Sequence, residues 1–345
     1  MLPIACLAAI LTGGASPAAE GGDPRGDPSP IHVQAKGPST IPFDAPSGLV
    51  IVTARINGRS HVRLLLDTGD PSGFTLDTKT ARAIGLPLRE RTPTRATGVV
   101  GSVRYTLYRA QVGSFLLGGL SASDFSIWTA PDAVLIAKTT GVRVDGFIGV
   151  DLLRDLRVTI DYPARQITFA PASPAPAPPP SPAPQTADGP AADGAPRDRV
   201  EVTPQTQDGA PLPMRIEGNR IVLEALLNGA ARRAVILDTA AGASFISQTD
   251  LNLTEPSPTG RAAQIVDSSG TAVSVPIRIL PRIQIGAAFA ERVPVVPLDF
   301  DSLNRDLFAA TPLDVAGILG GDLLSRFVVI LDFPNRTVSV RAGEP

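Results

Sequence analysis

Residues 64–69 read Leu-Leu-Leu-Asp-Thr-Gly, and residues 235–240 read Val-Ile-Leu-Asp-Thr-Ala. In each, an apolar run of strand type ends on an acid, followed by threonine and a residue with little or no side chain. The two acids, Asp67 and Asp238, are 171 residues apart. The same offset relates Gly146 to Gly317, Asp151 to Asp322, Asp161 to Asp332, and Asn57-Gly58 to Asn228-Gly229. From Gly146 to Phe169 and from Gly317 to Val340, 9 of 24 positions are identical. A single shared dipeptide is noise; several landmarks at one offset imply an internal repeat of domain length.

The local patterns are β-rich. Leu49–Ile56, Val62–Leu66, Val103–Val112, Arg157–Tyr162 and Gln166–Phe169 are short apolar or alternating stretches punctuated by Gly, Pro, Asn and Asp. The second half repeats the pattern at Arg220–Leu227, Ala234–Leu237, Ala272–Ile279, Arg292–Val296, Phe327–Asp332 and Thr337–Val340. Asn57-Gly58 and Asn228-Gly229 read as tight hairpin turns. Helical signals are few. Thr78–Ile84 reads as a short helix capped by Asp77 and closed by Gly85. Asp151–Leu156 and Asp322–Phe327 read as one or two turns with the Asp as N-cap. The fold class is therefore all-β, with two homologous barrel lobes.

Between the repeats, residues 171–198 form a Pro/Ala-rich, polyproline-like linker. This divides the chain into residues 1–19, an N-terminal segment 20–47, lobe one at 48–170, the linker, and lobe two at 199–342. Residues 1–19 hold an apolar run from Leu2 to Leu11 followed by small residues. That is the pattern of an export signal, and it predicts a secreted or periplasmic protein beginning near Ala19 or Glu20. The run is too short for a membrane span.

Composition removes several function classes. The net charge is −2 and the basic residues are scattered, so nothing marks a nucleic-acid surface. The one cysteine, Cys6, and the two histidines, His32 and His61, do not make a zinc site. There is no nucleophile elbow and no phosphate-binding glycine loop. Asp145, Asp151, Asp161, Asp322 and Asp332 lack calcium-loop spacing and read as caps and turn residues. One Asp-Thr-Gly alone reads as a polar turn closing a strand. Two at the repeat offset, each followed 79 residues later by the same glycine block, read as matched acids. Two desolvated carboxylates brought together share a proton, and such a pair activates water.

Leu66-Asp67-Thr68-Gly69 resembles the hydrophobic-Asp-Thr/Ser-Gly motif of the pepsin and retropepsin type of aspartic peptidase. Phe147-Ile148-Gly149 and Ile318-Leu319-Gly320, with the Asp-Leu-Leu after each, resemble the family's hydrophobic-hydrophobic-Gly element. The resemblance covers most of 48–170 and 219–340. It implies acid-protease lobes with a cleft between them and an extended peptide or protein substrate. It also implies catalytic Asp67 and Asp238 without metal or cofactor, and a monomer with an intramolecular pseudo-two-fold. Thr68, Gly69, Thr239 and Ala240 would support the site, the threonines bonding across the interface. A flap is implied at Gly98, Val99, Val100 and Gly101, or at Ser268, Ser269 and Gly270, with Tyr105 or Tyr108 as flap tyrosine. Two departures stand out. Ala240 replaces the second motif's glycine. Asp70 adds a third acid, which either points to solvent or raises the pair's proton affinity. Beside the endopeptidase, these departures leave open a non-catalytic peptide-binding protein of the same fold, or an exported β protein with no peptide affinity.

Overall fold

A computed structural model describes residues 5–7, 12–13, 31–69, 73–97, 102–130, 142–171, 211–266, 272–301, 304 and 313–343. The 171–198 linker and Asp70 fall outside these, apart from Pro171, which ends a strand.

Asn57 and Gly58 take φ of 47° and 76°, and Asn228 and Gly229 take 49° and 72°. Left-handed backbone at both central positions twists a two-residue turn the way paired strands twist. The first turn joins Ile51–Ile56 to Arg59–Leu66; the second joins Arg220–Leu227 to Ala231–Leu237. Each hairpin seeds a ring. In lobe one, Arg59–Leu66 pairs in parallel with Gly146–Ile148, which pairs with Thr75–Asp77. Thr75–Asp77 pairs with Leu120–Ala130, then comes Ser102–Leu117, which returns to Ile51–Ile56. Lobe two closes through Val315–Leu319, Phe245–Ser247, Ala288–Leu298 and Arg278–Ile285. Each lobe is thus a closed six-strand barrel. Alternation decides what fills it: Val50, Val52, Leu64 and Leu66 point inward, fully buried.

A third sheet joins the lobes. Leu156–Asp161 pairs antiparallel with Phe327–Asp332, and Thr159 lies opposite Ile330. Those residues are 171 apart in sequence, so the pseudo-two-fold axis passes between them. The lobes are therefore tied by a continuous ladder as well as by side chains, which the repeat alone did not predict.

The helix Thr78–Ala83 forms as expected, Asp77 accepting from Lys79 N and Thr80 N. The other two require a correction. Val150–Leu153 and Gly321–Leu324 start from Gly149 and Gly320, and neither Asp151 nor Asp322 is the N-cap. A Cβ at Gly149 would lie 2.9 Å from Gly73 Cα, and one at Gly320 would lie 2.2 Å from Ala243 O. Two backbones cross there, so the cap position goes to glycine and the acid moves into the first turn. Asp161 and Asp332 are turn residues as expected, accepting from Ala164 N and Asn335 N. Asp145 is not: it is buried, paired with Arg143, and accepts from Arg63 N and Thr80 Oγ1.

Candidate active site

Both acids leave their strands at the point where a second strand end reaches them. Asp67 N donates to Ile148 O at 2.9 Å, and Asp238 N donates to Leu319 O at 3.1 Å. The matched Gly-containing blocks thus cradle the matched acid motifs, which explains their fixed spacing. Asp67 is 1% exposed and Asp238 3%. Each acid folds back on its own loop: Gly69 N donates to Asp67 Oδ1 (3.0 Å), and Ala240 N donates to Asp238 Oδ1 (2.8 Å). Ala241 N adds a second bond to that oxygen at 3.2 Å. Such bonds fix the orientation of each carboxylate.

The threonines bring the loops together. Thr68 Oγ1 donates to Leu237 O (2.7 Å), and Thr239 Oγ1 donates to Leu66 O (2.6 Å). Thr239 N donates to Thr68 Oγ1 at 3.1 Å, and Thr68 N donates to Thr239 Oγ1 at 3.3 Å. Both side chains are fully buried. The network is reciprocal, so it lies on the same pseudo-axis as Thr159 and Ile330. This is the interlobe threonine bonding that the motif resemblance implied.

The two motif ends are not equivalent. A Cβ at Gly69 would sit 2.6 Å from Asp238 Cγ, so the opposing carboxylate rests directly on that glycine. Ala240 is 1% exposed, and its methyl joins a cluster with lobe-one Leu49, Ile51, Leu65, Val144 and Phe147. The alanine therefore has a pocket of its own across the interface.

Several supporting residues carried no motif in sequence. Ser244 Oγ donates to Asp322 Oδ1 (2.7 Å) and accepts from Gly320 N (3.1 Å). Removal of water around the half-buried Asp322 carboxyl raises its pKa, against the pull of Ser244, Leu323 N and Arg326. In lobe one the counterpart of Ser244 is Gly73. Asp151 there pairs with Arg154, and Asn219 Nδ2 of lobe two donates to it at 3.2 Å. Leu49 is matched in lobe two by Arg220, a buried guanidinium whose Nη1 donates to Gly218 O at 3.2 Å. Only comparison at the 171 offset flags these swaps. Burial raises the Tyr162 hydroxyl well above the usual tyrosine range, and the negative charge of Asp238 raises it further.

The hairpins expected to carry flaps are present up to their tips. Thr97 pairs with Ser102, and Val266 pairs with Ala272. The tip residues Gly98, Val99, Val100 and Gly101, and Ser268, Ser269 and Gly270, lie outside the described residues. Tyr108 lies under Arg82, whose Cζ is 5.8 Å from the ring centroid; Tyr105 is on the same strand.

Residues 52–152 match the family model described as Aspartyl protease. Among solved structures, the chain is similar to an aspartic proteinase from Irpex lacteus. The identity is 13% and the TM-score 0.42, over 89% of this chain and 98% of that one. No curated protein matches the chain. The matched segment runs from the first hairpin, through Asp67-Thr68-Gly69, to the Phe147-Ile148-Gly149 element that cradles it. The match to an aspartyl protease model therefore falls within lobe one, and the fold of two closed barrels is similar to that of a two-lobed aspartic protease.

Proposed function

We propose that the chain is an aspartic endopeptidase in which Asp67 and Asp238 act as one catalytic pair. The observation that carries this reading is the reciprocal threonine network, because it holds two buried acids at one junction on the axis between the lobes. Two such carboxylates hold one proton between them. The charged member takes a proton from a water molecule as that water attacks the peptide carbonyl carbon. The protonated member donates to the carbonyl oxygen, giving a tetrahedral diol. Return of a proton to the amide nitrogen then breaks the C–N bond. The substrate is an extended peptide, bound through backbone hydrogen bonds. Thr68, Gly69, Thr239 and Ala240 set the spacing of the pair. The apolar stretch Leu2–Leu11 supports export, and protein from the native host then begins near Ala19 or Glu20 by N-terminal sequencing.

The test is digestion of a peptide library. The wild-type chain cleaves, a statine-type transition-state mimic blocks cleavage, and chelators do not. Cleavage that persists in Asp67→Asn and Asp238→Asn rules the reading out. Ala240 motivates a second reading, a peptide binder with a misaligned pair; tight peptide binding without cleavage decides for it.

A further inference from the structure

Asn219 of lobe two matches Gly48 of lobe one at the 171 offset, and both take left-handed backbone, at φ 61° and 78°. Each leads into the first strand of its barrel, and each meets the other lobe there by different means. Gly48 meets backbone. A Cβ on it would lie 2.5 Å from Gly321 C, so the two glycines touch with no side chain between them. Asn219 meets side chains. Its Nδ2 donates to Asp151 Oδ2 at 3.2 Å, and its Oδ1 accepts from Arg154 Nη2 at 3.0 Å. Asp151 and Arg154 are themselves an ion pair on the short lobe-one helix and its C-cap. A carboxamide offers a donor to the anion and an acceptor to the cation, so one side chain serves both members.

This clasp occurs on one flank only. At the same offset, Asp151 and Arg154 become Asp322 and Ser325. Asp322 accepts from Ser244 within its own lobe, and Gly48 and Ser325 carry neither amide nor guanidinium. The clasp is also close to both acids. Asp151 lies three residues after Ile148, whose O accepts from Asp67 N at 2.9 Å. Its carboxylate backs the loop behind Asp67-Thr68-Gly69, since a Cβ on Gly73 would lie 2.5 Å from Asp151 Oδ2. Asn219 lies two residues before Ile221, whose N donates to Thr68 O at 3.4 Å. Ile221 in turn pairs with Leu237, the residue before Asp238.

We propose that Asn219, acting with Asp151 and Arg154, is a positioning residue for the acid pair. It sets the approach of the lobes on one flank, while the Gly48–Gly321 contact fixes the other. This rests on the peptidase reading and adds to it the element that trims the spacing of Asp67 and Asp238. The Arg154 side chain is 51% exposed, and ion pairs that open to water add little to stability. The contribution of the clasp therefore lies in geometry, to which rates are far more sensitive than folding is.

The test exchanges the two groups across the interface. Asp151→Asn leaves Arg154 facing two amides, and Asn219→Asp sets two carboxylates against each other. Asp tolerates the left-handed backbone at position 219. The double variant Asp151→Asn/Asn219→Asp returns one carboxylate and one amide to the guanidinium, on opposite sides. On a cleaved peptide, each single variant should lose about tenfold in kcat with KM within about twofold, and the double should recover most of the loss. Urea midpoints of all four forms should stay close. Exchange of the Ile221 amide, read by NMR, should quicken by about threefold or more in each single variant and slow again in the double. Single variants with the wild-type kcat overturn the proposal, as does a loss that the exchange of groups does not rescue or that only tracks the urea midpoint. If no form cleaves any peptide, the peptidase reading fails. The Ile221 amide then decides the clasp by itself: quickening that the double variant reverses supports it, and unchanged exchange overturns it.

Discussion

Gly69 and Ala240 occupy the same position of the two repeats, yet their surroundings differ. A methyl group on Gly69 would meet the Asp238 carboxylate at 2.6 Å, whereas the methyl of Ala240 is buried against Leu49, Leu65 and Phe147 of the other lobe. The pseudo-two-fold holds closely in the backbone, in Thr68 against Thr239 and in Thr159 against Ile330. It fails in the side chains that touch the acids. A repeated motif thus fixes where the acids come together, while each lobe's own packing decides how much room each has.

The sharpest way to test that asymmetry is to exchange the two residues. Gly69→Ala should lower kcat at least about 10²-fold, because the new Cβ must push the opposing acid or its own loop by a sizeable fraction of an ångström. Ala240→Gly should keep the rate and cost about 1 kcal/mol of stability, from the lost methyl burial and the freer unfolded chain. Steady-state kinetics with urea unfolding on both variants decides it. If Ala240→Gly abolishes turnover while Gly69→Ala does not, the correspondence between the lobes is wrong at the site.

The symmetric part of the comparison has its own test. Thr68→Val strands Leu237 O and Thr239 N, and Thr239→Val strands Leu66 O and Thr68 N. Each should cost about 2–3 kcal/mol, since buried polar groups left without partners carry most of their desolvation penalty. The two losses should agree within about 1 kcal/mol by denaturant unfolding. A large inequality would show that one lobe alone holds the junction.

Tyr162 is matched in lobe two by Phe333, and both are buried. The Tyr162 hydroxyl has no hydrogen-bond partner among the described residues. Its ring packs edge-on against Phe43 at 5.8 Å, a contact phenylalanine keeps. Tyr162→Phe should therefore stabilise by about 1 kcal/mol. A loss of stability would mean the hydroxyl has a role that its lobe-two counterpart lacks.

Asp322 gives the smallest effect, and a pH-dependent one. Its folded pKa is raised by loss of water, so protonated Asp322 favours the fold at low pH, and that contribution is lost as pH rises through the folded value. Asp322→Asn stays neutral, so its unfolding midpoint should fall less than the wild type's between acid and neutral pH. The difference is at most about 1.4 kcal/mol per pH unit. Parallel pH profiles for the two proteins would contradict the assignment.

Much of this was legible in the sequence, for a physical reason. Asn-Gly turns, apolar runs ending on Asp-Thr and glycines where backbones cross are local demands, and each leaves its residues at fixed offsets. The strands that went unread break the apolar pattern with polar residues. Leu88–Thr97 carries arginines, a glutamate and a proline, and Leu120–Ala130 is interrupted by Asp124 at φ 56°. Ala272–Ile279 reads as one strand but breaks after Pro276, which has no N–H to continue the ladder. The wrong N-cap assignment at Asp151 and Asp322 arose because the crossing backbone belongs to a distant segment. The Ser244–Asp322 bond and the Leu49–Arg220 swap depend on tertiary neighbours and have no local signature.

The central claim is that Asp67 and Asp238 work as one unit. Its most direct test is kcat/KM on a cleaved peptide for Asp67→Asn, Asp238→Asn and the double variant. Each single change should reduce the rate by about 10³-fold or more, and the double should fall no further, because removing either acid already removes the pair. A single variant that keeps its rate within about tenfold of the wild type, or a double variant in which the two losses simply multiply, would contradict it.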